Sequence, residues 1–273
     1  MAPRAEKRLR AAERALETVQ VARREKFLAP LRSRLYRYAA LHFERQRDAL
    51  WSELSRRGHV LNESRLQEGL ADDIDGILDE IFLTYRGIFT DSMARTIHAA
   101  MKGAVRHRIA DIDADVSFDL DNPAAQEYLR TYAAREVTNI DATTRKSLKA
   151  LIARGERAGT PYSTVARQMI KKFNDFGTPV PQRHLRTRAE MIAVHELANA
   201  YESASRQAVA AIEAKGVDME KKWSDTGDDR VSPLCRANSA AGWIPADQAF
   251  PSGHDHPPGH AACRCSALYR AAA

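Results

Sequence analysis

Apolar residues recur three and four positions apart through most of the chain, the period of an α-helix with one buried face. Over residues 1–60, Leu28, Leu31, Leu35 and Tyr38 begin a stripe that runs on through Leu50 and Leu54, and Gly58 is placed to stop it. A second helix is expected after Asn62, carrying Leu66, Leu70, Ile74, Ile77, Leu78 and Ile81. A third is expected after Thr90, with Met93, Ile97, Met101 and Val105 on one stripe. Together they predict an all-α N-terminal region over 1–120, elongated or hairpin-like. Asn122-Pro123 reads as an N-cap followed by proline at the first helical position. The helix it opens passes Tyr128 and Tyr132, and another is expected over 141–157 with Leu148, Leu151 and Ile152, stopping near Gly159. A short helix follows Tyr162, carrying Val165, Met169, Ile170 and Phe173. Gly177, Pro179 and Pro181 then read as a linker. Residues 187–215 form an amphipathic pattern with Met191, Val194, Ala198, Tyr201 and Ala208 on one side and Gly216 closing it.

Beyond Gly216 the pattern changes. Val217, Met219 and Trp223 alternate as in a short strand, and glycine, proline and histidine become frequent. Residues 217–269 are therefore expected to form a compact irregular module with a few short strands. The fold class is mainly α: a helical N-terminal region, then over 121–273 a helical domain ending in a small irregular β module.

Composition narrows the classes. Of 273 residues, 44% are hydrophobic and 29% charged, enough apolar material for one or two compact units. No window approaches the ~20 continuous apolar residues of a membrane span. Arg4, Glu6, Lys7, Arg8 and Arg10 stand where a secretory signal would be apolar, so folding in the cytoplasm is the default expectation. The formal net charge is +6, and the excess lies in residues 4–37, where basic residues outnumber Glu6, Glu13, Glu17 and Glu25. Such a segment either attracts nucleic acid or an acidic surface at long range, or is a solvated face laced with i,i+4 ion pairs. No phosphate-binding loop or RNA-binding aromatic pair accompanies it.

Two apparent metal motifs fail on inspection. Asp111, Asp113 and Asp115 imitate the start of a calcium loop, but Val116 and Asn122 stand where that loop needs glycine and glutamate. His195-Glu196 is half of a zinc-protease signature, and Asn199 stands where the second histidine belongs. The three cysteines are another matter. Cys235, Cys263 and Cys265 all fall late and, with His260, make a set of soft ligands suited to tetrahedral zinc. A metal there would fasten a segment with little apolar core, given a knuckle-like turn to bring the ligands together. Packed reduced thiols, or a disulfide from Cys235 to Cys263 or Cys265, are the other readings of the same residues. His254 and His256 read as surface loop residues.

In this order the features resemble the Mu F-type head morphogenesis domain of tailed phages, over residues 140–269. Arg188, Ile192, Ala193 and Glu196 match its Arg-x-x-x-Ile-Ala-x-x-Glu helix. Trp223 lies in the strand that follows, and residues 228–235, with Asp229, match the turn leading to a cysteine. Residues 257–265, with Pro258 and Arg264, match the closing Pro-Pro-x-His-x-x-Cys-Arg-Cys signature, and the turn at 159–163 is similar too. Two positions depart from the pattern. Ser232 replaces the first cysteine of a Cys-x-x-Cys pair, which leaves His260 to complete any tetrahedron, and His195 replaces the usual threonine.

The resemblance implies a minor capsid protein of a tailed phage or prophage. It would act near the portal in head assembly and in DNA packaging or delivery, and lie in the virion after assembly in the host cytoplasm. Its partners would be portal and capsid or scaffold proteins, with DNA reached through the basic segment; it implies no catalytic residues, and structural zinc is the one cofactor left open. A rival reading is a metal-dependent nuclease or toxin-related hydrolase built on His254, Asp255, His256 and His260. The chain ending at Ala273 leaves no room for a C-terminal toxin cargo. A bacterial helical adaptor unrelated to phage is a third reading.

Overall fold

In the computed structural model, which describes residues 2–66, 70–112, 120–121, 123–177 and 187–272, helix dominates up to Gly216 and a small sheet follows. The described elements are α1 (Ala2–Arg56), α2 (Leu70–Ile112), α3 (Pro123–Ala158), α4 (Tyr162–Gly177), α5 (Arg188–Glu213), β1 (Met219–Ser224), α6 (Pro233–Ala240), β2 (Trp243–Pro245) and β3 (Ser266–Ala271). The strands pair antiparallel in the order β2-β1-β3. This is the mainly-α fold with a small β tail expected from the periodicity. No described helix is long and apolar enough to cross a membrane.

Helix boundaries differ from expectation in three places, for one physical reason: polar residues that resemble caps have other partners. Ser92, just past the expected start at Thr90, donates its hydroxyl to the Ile88 carbonyl, so α2 runs on without a break. Thr138, Thr143, Thr144 and Ser147 each donate to a carbonyl four residues back, and α3 is likewise one helix where two were expected. Asn62 caps no helix. Its side chain accepts from the Ser64 amide, and residues 62–66 pair with the 160–163 turn through Leu66 N–H to Thr160 C=O, Tyr162 N–H to Ser64 C=O and Ser163 N–H to Asn62 C=O. α1 ends as expected before Gly58, whose φ of 78° suits glycine alone without strain. Asp113, Asp115 and Val116 of the rejected calcium-loop match, the expected cap Asn122 and the linker residues Pro179 and Pro181 lie outside the described residues.

The chain divides into two compact units. One comprises Met1–Ser33, Thr96–Asn122 and Val194–Ala273; the other comprises Arg34–Arg95 and Pro123–Ala193.

In the first unit, Val209 and Ile212 of α5 pack on Met219 of β1 and on Ala267 and Tyr269 of β3, with Ala246 completing the cluster. β3 is an edge strand, and an edge strand leaves backbone groups unpaired. Gln20 of α1 covers part of that edge: its amide donates to the Tyr269 carbonyl at 2.9 Å and accepts from the Tyr269 N–H at 3.3 Å. The neighbouring acidic residues of α1 serve the sheet as well. Glu13 pairs with Arg270, and Glu17 accepts from Ser224 and pairs with Lys222. The basic residues nearby are also paired: Arg23 with Asp111, Arg32 with Glu25, and Arg24 with Glu202. Among these described pairs, Arg23 and Arg24 look across to other elements, while Glu25 joins Arg24 and Arg32 along α1 itself.

Gly103 on α2 lets the Phe27 ring of α1 lie directly against the helix backbone; a β-carbon there would overlap the ring. Phe27 also meets His107 edge-on, with centroids 5.2 Å apart, while His107 Nδ1 lies 2.7 Å from the Tyr201 hydroxyl. Burial, with Arg23 and Arg108 adding repulsion, pulls the His107 imidazole from 6.5 down to about 4. Between those pH values the unfolded chain binds the proton more readily, so this group's contribution to stability is intact above pH 6.5 and is lost as pH falls towards 4. Discounted for the half-exposed ring, the loss is about 1–2 kcal/mol. Urea midpoints at pH 7 and pH 4.5 should therefore fall further for the native protein than for His107→Gln, and equal falls would show that His107 is not responsible.

In the second unit, Leu35, Ala39, Phe43, Leu50 and Leu54 of α1 are buried, as are Ile74, Ile77, Leu78 and Phe82 of α2, Val137, Leu148 and Ile152 of α3, and Val165, Met169 and Phe173 of α4. Ala39 takes the core position that the sequence stripe assigned to Tyr38, which is only half-buried. One polar cluster interrupts this core. Asp141, expected to begin a helix, is instead buried within α3, where it accepts from Gln46 at 2.8 Å and Arg86 at 3.1 Å and lies 3.2 Å from His42. A buried carboxylate requires such partners, since an unpaired one costs several kcal/mol.

Candidate functional site

The C-terminal module is organised around Trp223, the largest fully buried side chain. On β1 the residues Met219, Lys221 and Trp223 share one buried face. Trp223 meets Phe250 edge-on at 5.1 Å and packs in a cluster with Val231, Cys235, Cys263 and Cys265. Gly259 lies under it: a β-carbon there would come 2.7 Å from Leu234 and 3.4 Å from the indole, so the close approach needs glycine.

α6 presents Cys235. Ser232 caps this helix by accepting from the Cys235 N–H at 3.2 Å, and Pro233 follows at the first helical position. Asn238, further along α6, holds the next loop by donating to Ser252 Oγ and accepting from the Ser252 N–H. The chain then returns through Pro257-Pro258 to a tight turn in which Cys263 N–H donates to His260 C=O and Ala262 adopts a φ of 62°. That turn brings the thiols together. The Sγ atoms of Cys235, Cys263 and Cys265 all lie within 4.8 Å of one another and all three residues are buried. Cys235 Sγ is 3.7 Å from Cys263 Sγ and 3.4 Å from His260 Nε2. The cysteines are free, and 3.7 Å is far from the ~2.05 Å of a disulfide bond.

The thiols are electrostatically unequal. A hydrogen bond shared with Cys265 holds Cys263 below the usual thiol range, and the same bond pushes Cys265 up, with burial adding to it. Burial raises Cys235. Among the described residues this trio is the one group of three or more Cys, His, Asp or Glu ligand atoms that converges.

The other histidines of the tail have different partners. His254 Nδ1 is 2.8 Å from Ser252 Oγ, His256 lies 3.1 Å from Ser203 Oγ, and Asp255 pairs with Lys221 and Arg206. The hydrolase set of His254, Asp255, His256 and His260 therefore does not come together. Near His195 and Glu196, likewise, no group of metal ligands assembles among the described residues.

The remaining motif residues knit the fold. Arg188, at the start of α5, donates to Thr144 Oγ1 at 2.8 Å and Ile140 C=O at 2.9 Å while stacking on the rings of Phe43 and Phe176. Burial lowers its guanidinium to about 10, opposed by the charge of Asp141. Glu196 is buried on α5. Pro258 follows a cis peptide bond from Pro257. Arg264 makes two hydrogen bonds, of 2.6 and 2.8 Å, to the carboxylate of Asp228, and the Arg264 and Arg230 guanidiniums hold that carboxyl below its usual range. Asp229, picked out from the sequence, is exposed, and it is its backbone carbonyl that accepts from Arg236.

Sequence reasoning placed Asp228 at the start of the 228–235 turn but singled out its neighbour Asp229, and it missed one further residue. Lys221 sits between Met219 and Trp223 in the alternation, which marks a lysine on a buried face; its ammonium donates to the Asp255 carbonyl at 2.8 Å and lies 5.1 Å from the Phe250 ring centroid.

Residues 146–268 match the family model described as Phage Mu protein F like protein. No curated protein and no solved structure matches the chain.

Proposed function

We propose, from the match of residues 146–268 to the Phage Mu protein F like family, that this protein is a head morphogenesis protein of a tailed phage and, within that role, a minor capsid protein. It acts near the portal in head assembly and in DNA packaging or delivery, and its place is the virion head. The family match carries this reading. The character of the C-terminal module supports it, because Trp223 and Arg264 hold its elements together through buried packing and an ion pair. Its role is mechanical and not catalytic.

Docking onto portal, capsid or scaffold proteins needs apolar surface left uncovered. On α2, Leu83 is 76% exposed and Ile88 56% exposed. Ile88 lines a shallow groove with Tyr38, Leu41 and Tyr85. Burying one such side chain in an interface is worth about 1.5–3 kcal/mol. Lys7, Arg8, Lys26, Arg34 and Arg37 are among the exposed basic residues of α1, and they supply a salt-dependent, sequence-independent attraction for DNA.

Co-sedimentation of the full chain with the portal protein encoded in the same genome tests the reading, with Leu83→Asp/Ile88→Asp expected to weaken association. No association with portal, capsid or scaffold proteins at low salt would sink it. Gel shift on random DNA should weaken steeply with salt, and salt-independent binding would exclude the electrostatic contact. Plasmid nicking that depended on His254, Asp255 or His256 would overturn the non-enzymatic reading.

A further inference from the structure

We propose that Cys235, Cys263, Cys265 and His260 bind one zinc ion, a Cys3His site that fastens α6 and the 257–265 turn to β3. With Zn–S near 2.3 Å and Zn–N near 2.0–2.1 Å, a tetrahedron has S···S edges of about 3.8 Å and S···N edges of about 3.5 Å. Cys235 Sγ lies 3.7 Å from Cys263 Sγ and 3.4 Å from His260 Nε2, and Cys265 Sγ is within 4.8 Å of both other sulfurs. Packed thiols reach similar sulfur spacings, but they do not need an imidazole nitrogen brought to them from the solvent side.

The His260 ring is oriented for that role. Nδ1 lies 2.7 Å from the Ala261 carbonyl, so it carries the proton and donates, leaving the lone pair on Nε2, the nitrogen beside Cys235 Sγ; a small turn of the 257–265 segment would bring it into reach of an ion held by the three sulfurs. Metal-bound histidines are held in this way by their other nitrogen. On the far side, the Trp223 indole N–H is buried without a hydrogen-bond partner, in the same cluster as Cys265, a donor available to a thiolate ligand. Ser232 explains why the fourth ligand is a histidine: the position three before Cys235 caps α6 and offers no sulfur.

Three sulfurs and one imidazole in a tetrahedral arrangement favour zinc over the harder divalent cations. The apolar cluster around Trp223 is small and includes all three cysteines, so a metal would stand in for core that this segment lacks.

The test uses the full chain expressed with zinc supplied. Mass-spectrometric metal analysis should find one zinc per chain, released when the thiols are modified and detected by a colorimetric zinc indicator. Cobalt substitution should give the intense sulfur-to-metal charge-transfer and d–d bands of a tetrahedral thiolate site. His254→Ala/His256→Ala should keep zinc at full stoichiometry, while His260→Ala loses affinity at least tenfold in chelator competition. Removing the metal should lower the thermal midpoint. Metal-free native protein with three titratable thiols overturns the proposal. So does an intact mass two daltons low from a disulfide, or zinc that persists at unchanged affinity in His260→Ala. None of these outcomes bears on the head-protein reading, which is judged by association with other head proteins.

Discussion

Glu202→Ala is expected to cost about 3–5 kcal/mol, because it takes a fully buried carboxylate away from two buried arginines whose remaining partners, Glu25 and Asp111, are nearer the surface. Glu202 is fully buried on α5. Arg24 Nε lies 2.8 Å away, though not aligned as a hydrogen bond, and Arg24 is itself almost fully buried over the Tyr201 ring. Arg108, also buried, adds its charge to the same pocket; it reaches Gln20 and Asp111 and stacks over Tyr269. Burial pushes the Glu202 carboxyl up, opposed by the attraction of Arg24 and Arg108. The balance is the usual one for buried ion pairs, in which desolvation rivals the Coulomb gain, so the pair adds little net stability while either half alone is costly. Replacing both partners, as Arg24→Met/Glu202→Leu, should therefore recover most of the loss. Urea unfolding of the two variants decides the matter. A single-variant loss under about 1 kcal/mol, or a double variant as weak as the single, would mean that the pocket is wetter than its burial indicates.

The second large effect belongs to Trp223. Truncation to alanine is expected to cost about 3–5 kcal/mol, the range for removing a fully buried aromatic. The side chain has no solvent exposure and packs against Phe250 and Gly259 in a closed cluster. The same cavity would open beside Cys265, so reaction of the three thiols with a disulfide reagent should accelerate along with the loss of stability. Trp223→Phe keeps most of the apolar volume and should be far milder. Unchanged thiol reactivity in the alanine variant would show that the indole does not shield the cysteines.

How much of this was legible beforehand varied by element. The stripe from Leu28 to Leu54 and the 187–215 pattern located α1 and α5 closely, because a long amphipathic repeat has few alternative readings. α6 was not foreseen: eight residues with Pro233, Ser239 and two turns' worth of periodicity look like loop. The apparent starts at Thr90 and near Asp141 were false because serine, threonine and aspartate serve equally as caps, as back-bonded helix residues and as buried ion partners. Local sequence does not tell these apart. In the tail, the residue types Cys, His and Trp stood out from composition alone. Lys221 did not, and Asp229 was singled out over Asp228, since a charged residue is ordinarily read as solvated.

The chain's own pattern determined its helical character up to Gly216, the position of the first strand and the thiol-imidazole character of the tail, because periodicity, turn chemistry and ligand type are local properties. Which charges stay in water was decided only by the tertiary structure. Arg8 and Arg24 lie in one basic stretch of one helix, yet Arg8 is exposed and Arg24 is buried against a glutamate 178 positions away. A charge's energy depends on what faces it across the fold, and nothing within its own helix records that.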